Sequence, residues 1–384
     1  MNNTTTKNIY SLETLIFVVV FFGLFGSLAS IMGLSNMMNT LMNTAYALLM
    51  DTVFYIMAIS VIAGAIGSIF IEFGVIAILN KLLSPLMKPL FGLPGAAAMG
   101  IMSTFLSDNP AILALADDIS FRRYFKKFQL PALTNLGTGF GMGLITVTFM
   151  MGLAPKDGGS FLSAALIGLL GAAIGSAVSV RIMLMFTKKM YGTSEEAYEG
   201  NDQGSMVSEL RVIHEGSWAG RAMNALLDGG KQGVKLGLEI IPGVLIICTL
   251  VMMFTNTVEN SSYTGAAYEG IGLLPYLGTQ IDFILQPLFG FTSAECIAVP
   301  ITALGSAGAA IGLVPGMVAN GMASGNDIAV FTAMCMCYSG YLSTHVAMMS
   351  VLKFPELTGK SILAHTIGGL CAGISAHWIY LIFF

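Results

Sequence analysis

Pro89-Leu90-Phe91-Gly92 recurs as Pro287-Leu288-Phe289-Gly290. Further on, Leu166-Ile167-Gly168-Leu169-Leu170-Gly171-Ala172-Ala173-Ile174 aligns with Thr366-Ile367-Gly368-Gly369-Leu370-Cys371-Ala372-Gly373-Ile374. The two offsets, 198 and 200 residues, are nearly equal. Asp51 and Glu239, each read as a carboxylate opening a span, fit the same order if the second half carries a longer outer loop. Shared Gly, Ala and Leu composition produces any one such match. Three in one order point to a unit present twice.

The solvent of that unit is lipid. Apolar residues make up 55% of the chain and charged residues 10%, where soluble domains run near a quarter charged. No Lys or Arg occurs between Lys7 and Lys81, nor between Lys235 and Lys353. Forty-five Gly and twenty-six Met suit close helix packing and adaptable surfaces. The net charge of -4 is small and says nothing about nucleic acid, but there is no basic patch outside the cytoplasmic-looking loops, so no nucleic-acid partner is expected. The five Cys lie in apolar segments without metal-ligand spacing and read as buried thiols. The first apolar stretch lacks a small-residue cleavage site and reads as a retained span.

Seven segments are long and apolar enough to cross a bilayer: 12–34, 50–75, 132–153, 161–187, 236–255, 327–352 and 362–383. Regions 82–118 and 283–320 are apolar but broken by Pro and Gly. Basic residues stay on the cytoplasmic side. That rule puts Arg122, Arg123, Lys126 and Lys127 inside, together with segment 188–235, Lys353 and Lys360, and leaves Lys156 outside. The N-terminus is then cytoplasmic and the C-terminus outside, in an inner (cytoplasmic) membrane. Pieces 94–106 and 110–119 reach roughly 20 and 15 Å as helices against a core of about 30 Å, and read as half-helices. Each copy holds a span, a broken segment and two more spans. Three crossings place the copies in opposite orientations, the plan of secondary transporters. The expected fold is therefore all-α integral membrane, with about seven transmembrane helices and two re-entrant helical hairpins in inverted-topology repeats. Its parts are an N-terminal helix (1–40), repeat 1 (41–187), a cytoplasmic linker (188–231) and repeat 2 (232–384).

Re-entrant backbone survives in lipid only where protein or water surrounds it, so the hairpin tips are the first candidate site. The first tip is Ser107-Asp108-Asn109-Pro110. Ser107 and Asn109 suit a helix cap, whereas an ionised Asp108 at mid-depth points to a substrate or cation. The second tip, Gly305-Ser306-Ala307-Gly308, lets backbone approach a ligand closely. Each hairpin precedes a span with a polar interruption. The first contains Thr134, Asn135 and Thr138; the second contains Ser339, Ser343, Thr344 and His345. Gly beside hydroxyl residues favours unwinding that frees carbonyls for a polar solute or Na+ (near Thr134, Asn135, Ser339 and Thr344), or else serves helix packing. Glu295 suits substrate binding, proton coupling or a headgroup-level carboxylate, and His345 a titrating or a core role.

The Pro-Leu-Phe-Gly turn, short half-helix, Gly/Ser tip and second half-helix resemble the gate, or nucleoside-recognition, domain. That domain is shared by concentrative nucleoside transporters, spore maturation membrane proteins and the bacterial ferrous-iron permease. Leu304-Gly305-Ser306-Ala307-Gly308-Ala309 looks like the tip of the spore maturation group, and Ser107-Asp108-Asn109-Pro110-Ala111 sits where the partner hairpin has its Asn/Pro turn. The resemblance covers most of 45–384. It implies two hairpins, two unwound helices, an elevator-like transport domain and homo-oligomers. The Gln-Thr-Glu and Asn-Phe-Ser-Ser signatures of true nucleoside transporters are not evident.

Enzyme signatures are missing: no G-x-S-x-G, no P-loop, no H-E-x-x-H. Without a nucleotide site, pumping must draw on an ion gradient. The expectation is a secondary transporter of a small polar organic solute (nucleoside, amino acid, peptide or amine) coupled to Na+ or H+, with no other cofactor and with lipid as its surroundings. A non-transporting scaffold or a passive channel are the competing readings.

Overall fold

The computed structural model describes residues 9–107, 111–112, 115, 119–155, 158–195, 197, 213–258 and 262–384. Among them every regular element is helical. Six helices are long and apolar enough to cross a membrane, or seven if a bent pair counts as one span.

Helix α1 (Leu12–Met32) is capped by Ser11, whose hydroxyl accepts from the Thr14 N–H at 3.2 Å. Only its Leu28 and Met32 are buried, so its apolar surface faces lipid. Helix α2 (Leu34–Ala47) runs through a π-helical turn (Leu48–Val53) into α3 (Phe54–Glu72) as one rod of 39 residues. The span read at 50–75 therefore begins much earlier. The polar residues before position 50 serve a tertiary purpose. Asn36 and Asn43 donate to the carbonyls of Tyr263 and Gly265, and Thr44 accepts from the Tyr268 N–H. Beside them, Glu269 accepts from the backbone of Thr264 and Gly265 and from the Thr264 hydroxyl at 2.6 Å. Burial pushes its pKa up, but these hydrogen bonds win and hold it below the usual carboxylate value.

Helix α4 (Val75–Phe91) is amphipathic and ends at Gly92. A kink of loop leads to α5 (Ala97–Leu106), only ten residues long. Past a helical turn at Ile119–Arg122 come α6 (Ala132–Thr138) and α7 (Gly143–Gly152), two halves of one buried span broken at 139–142. Helix α8 (Leu162–Tyr191) follows. Helix α9 (Trp218–Pro242) then passes through a second π-helical turn (Gly243–Cys248) into α10 (Thr249–Thr255). This rod begins well before the span read at 236–255 and runs unbroken through residue 231. Asp51 lies in the first π-helical turn and Glu239 inside α9. Neither carboxylate opens a helix, because the residues before each carry on the helical hydrogen bonding.

The second half continues with α11 (Leu273–Gln280) and α12 (Asp282–Phe289). The chain then bends by 79° into residues 294–303, which end in α13 (Ala298–Ala303). The tip at 304–306 leads into α14 (Ala307–Ala319). Six and thirteen residues give about 9 and 20 Å of helix, each short of a bilayer core of about 30 Å. Helices α15 (Gly325–Cys337) and α16 (Tyr341–Val351) are halves of a second broken segment, and α17 (Thr358–Phe383) closes the chain.

Several local backbone features recur at one spacing. Gly92 and Gly290 are both left-handed helix caps (φ 70° and 59°) and lie 198 residues apart. At the same spacing, Lys126 and Ser324 are N-caps whose backbone N–H donates to the side chain three residues on, Gln129 and Asp327. Met142 and Gly340, again 198 apart, carry the left-handed turn that restarts each broken helix (φ 53° and 58°).

Corresponding helices also pack on each other. Helix α9 lays Gly229, Gly233 and Gly237 against α3, where a Cβ at Gly233 would stand 2.4 Å from the Ser60 carbonyl oxygen. Helices α8 and α17 cross where Gly175 and Gly368 face each other's carbonyls. Such contact needs small residues and takes the place of a hydrophobic driving force, which lipid does not supply. Gly233→Leu should therefore cost about 1–3 kcal/mol by overpacking. Gly230→Ala, whose Cβ would meet only Val61 Cγ1 at 3.6 Å, should leave the thermal unfolding midpoint in detergent unchanged.

Candidate transport site

The first broken segment and α15 are buried, α16 is partly exposed, and polar side chains of α6, α8 and α17 meet beside the two breaks. Asn135 on α6 is fully buried. Its Nδ2 donates to Ser179 Oγ on α8 at 2.9 Å and to the Ser361 carbonyl on α17 at 3.0 Å. Its Oδ1 accepts from Ser361 Oγ at 2.7 Å. Ser179 Oγ also lies 2.9 Å from His365 Nδ1, and His365 Nε2 meets the carbonyl of Cys337 at the end of α15.

These contacts assign the protons. A carbonyl only accepts, so His365 carries its proton on Nε2. Nδ1 is then a lone pair, and Ser179 donates to it while accepting from Asn135. His345 Nδ1 meets the Tyr341 carbonyl at 2.6 Å and must be the protonated nitrogen of that ring. Its Nε2 is a buried lone pair without a partner. The two imidazoles lie 4.8 Å apart. Tyr341 and Tyr338 tie the same break to α17 through Thr366. Two further hydroxyls, Thr134 Oγ1 and Ser176 Oγ, are buried without partners. Ser176 Oγ would stand 2.4 Å from a Cβ at Gly139, where the first segment breaks.

This network of amide, hydroxyls, imidazoles and carbonyls contains no carboxylate. It suits a neutral hydrogen-bonding solute, or a cation held by neutral oxygens. Among the described residues no group of three His, Cys, Asp or Glu could hold a metal ion.

The expected site residues divide into those joined here and those that are not. Asn135 belongs to the network, and His345 adjoins it through His365. Thr134, Thr138 and Ser339 are buried on the broken segments, and Thr138 Oγ1 donates to its own helix at the Thr134 carbonyl. Thr344 is half-buried on α16; Ser343 is on its first turn, with its side chain outside the described set. Ser107 is the half-buried C-cap of α5. Asp108 and Asn109 lie outside the described residues. Ser306 caps α14 by accepting from the Ala309 N–H at 3.2 Å and packs on the second π-helical turn, 2.6 Å from a Cβ at Gly243. Glu295 is half-buried in a 3₁₀ turn near the base of the second hairpin.

Sequence reasoning missed Ser179, Ser361 and His365. Ser361 and His365 stand one helical turn apart in an otherwise apolar span, and that spacing was a usable signal. It also missed Asn326 and Asp327, which fasten the second Pro-Leu-Phe-Gly turn. Asn326 Nδ2 donates to the carbonyls of Phe289 and Gly290, and its Oδ1 accepts from His377 Nδ1. Asp327 accepts from the backbone of Thr292 and of Ser324. At the first turn, Arg181 and Gln129 donate to the carbonyls of Leu90 and Gly92.

No family model matches the chain. No curated protein matches it either. Solved structures do. A doubly substituted form of the concentrative nucleoside transporter CNTnw, facing outward, superposes with a TM-score of 0.57 at 13% identity, covering 96% of this chain and 84% of that one. CNTnw in an inward-facing substrate-bound state gives 0.53 at 14% identity, with coverages of 96% and 84%. This chain has the CNTnw fold. Its six or seven helices long and apolar enough to cross a membrane make it a multi-pass membrane protein.

Two measurements check the network. Ser179→Ala strands an Asn135 N–H and the His365 lone pair, and should destabilise the protein by about 1–3 kcal/mol. With only four histidines in the chain, ¹⁵N-imidazole spectra should show His345 as the Nδ1–H tautomer and His365 as the Nε2–H tautomer; the opposite assignment would overturn the donor order.

Proposed function

We propose that the chain is an ion-gradient-coupled secondary transporter of a small polar organic solute, working by elevator-like alternating access. The observation that carries the reading is the pair of buried helix breaks, 198 residues apart, facing a shared polar network in a chain with the CNTnw fold. Broken helices free backbone groups to hold a solute or ion near the midplane of such folds. The solute class is a nucleoside, amino acid, peptide or amine. Asp108, Asn109 and Ser306 contact it from the hairpin tips, with Asn135, Thr138, Ser339 and Ser343 on the broken segments. Glu295 and His345 are further contacts or proton carriers. Na+ near Thr134, Asn135, Ser339 and Thr344, or H+, is the coupling ion.

The packing of α3 on α9 and of α8 on α17 supports two halves related by a pseudo-twofold, with opposite orientation in the membrane. The charge pattern supports a cytoplasmic N-terminus and an outer C-terminus in the inner membrane. The lipid-facing α1 leaves room for homo-oligomers.

A thermal-shift screen of purified protein against nucleosides, amino acids and amines, with and without Na+, should identify a stabilising solute. Uptake of that solute into proteoliposomes should saturate, follow a Na+ or proton gradient, and fall at least about tenfold in Asn135→Ala, the equivalent of about 1.4 kcal/mol. Flux that neither saturates nor responds to a gradient would make the protein a channel. Function unaffected by Asn135→Ala but lost on changes in 188–231 would make it a scaffold.

A further inference from the structure

A second polar cluster lies where residues 213–217 meet the α3–α9 pair, and the proposed transport site does not use it. Glu72, the last residue of α3, is 4% exposed. Its carboxylate accepts from Arg221 Nε at 2.5 Å, from His214 Nδ1 at 2.8 Å and from the His214 backbone N–H at 3.3 Å. The other ring nitrogen, His214 Nε2, stands 3.4 Å from Asp228 Oδ2 on α9. Asp228 also accepts from Lys231 Nζ at 2.9 Å. One imidazole thus bridges carboxylates that belong to two different helices.

The protonation state decides whether the bridge holds. A neutral imidazole has one N–H and one lone pair. It serves one carboxylate and turns a lone pair toward the other. Only the imidazolium donates to both. The charged groups facing it are Glu72 from α3 and Asp228 from α9, flanked by Arg221 and Lys231 on α9; Glu215 is its neighbour in sequence. Glu72 keeps Arg221 and Asp228 keeps Lys231 when His214 loses its proton. Neither carboxylate is then stranded. What is lost is the second of the imidazole's two ties, while the His214 backbone N–H still donates to Glu72.

We propose that His214 is a pH-sensitive strap: as imidazolium it fastens residues 213–217 to both α3 and α9, and as neutral imidazole it holds one carboxylate and turns a lone pair on the other, which loosens the segment. The hydrogen bond to Glu72 raises the His214 pKa above its ordinary value of 6.5; Asp228 adds to the rise and desolvation opposes it. A folded-state pKa above the unfolded one means that the strap is complete below the ordinary imidazole range and is lost as pH rises through the raised value. His214 is 40% exposed, so solvent screens part of the effect. The inference is independent of the transport reading, and its test needs no substrate.

The strap carries its own reporter. The chain has two tryptophans. Trp218 opens α9 with its ring 5.3 Å from Phe73, directly after Glu72. In a full-length Trp378→Phe background, Trp218 emission and iodide quenching are followed from about pH 5 to about pH 9, the window of imidazole titration. Quenching should rise sigmoidally with a midpoint above 6.5, and the transition should vanish in His214→Gln. Asp228→Asn, a change at a half-exposed position, removes one of the two carboxylates and should move the midpoint down toward 6.5. Size-exclusion profiles check that each variant is folded. If His214→Gln does not fold, the Asp228→Asn shift decides alone. A transition that persists in His214→Gln, an unmoved midpoint in Asp228→Asn, or no transition in the parent protein would overturn the proposal.

Discussion

A broken helix in lipid exposes backbone groups that no solvent satisfies, and each unsatisfied group costs several kcal/mol. Everything distinctive about this fold follows from meeting that demand. The two Pro-Leu-Phe-Gly turns end helices inside the protein, and their carbonyls are taken up by side chains from elsewhere in the chain: Arg181 and Gln129 at the first, Asn326 at the second. The break between α15 and α16 is held in the same way by His365, which meets the Cys337 carbonyl, and by Tyr338 and Tyr341 through Thr366. Polar residues in the spans are therefore first of all partners for interrupted backbone.

That partnering has a functional residue. Once the breaks are tied down, a few polar atoms remain buried and unpaired: Thr134 Oγ1, Ser176 Oγ and His345 Nε2. Thr134 and His345 lie on the broken segments and Ser176 stands beside the first break on α8, while Asn80 Oδ1 on α4, Thr146 Oγ1 on α7 and Thr249 Oγ1 on α10 are buried without partners as well. An orphaned buried group is costly, and a ligand or ion is one way to settle it. The glycine-lined crossings α3–α9 and α8–α17 supply the complementary property. Backbone-to-backbone contact makes close pairs from corresponding parts of the two halves. The α8–α17 pair carries Ser179, Ser361 and His365 of the polar centre, while the apolar side of α1 is left to lipid.

Much of this was legible in the amino-acid order. The two Pro-Leu-Phe-Gly motifs are helix ends in the structure, both with the left-handed glycine that ends a helix. The Gly/Ser tip at 305–306 is a helix N-cap, and the polar interruptions are real breaks. Other readings failed for identifiable reasons. Residues 35–49 fell outside the spans read at 12–34 and 50–75, yet they are helical, and their Asn and Thr side chains pair with the loop at 263–269. Residues 218–235 looked like a polar linker because charge dominates local hydropathy. The helix there is set by a three-glycine stripe that fits α3. Ser179, Ser361 and His365 were passed over because single polar residues in an apolar span give no local sign of whether they face one another.

The sequence by itself determined the solvent, the all-helical class and the places where helices must stop, because hydropathy, charge spacing, proline and glycine act locally. Only the tertiary structure decided which polar groups meet. Asn135, Ser179, Ser361 and His365 come from three helices far apart in the chain, and Glu72 meets His214 across a separation of 142 residues. A hydrogen bond depends on a few tenths of an ångström and on direction, and neither is written in the spacing of residues along a chain.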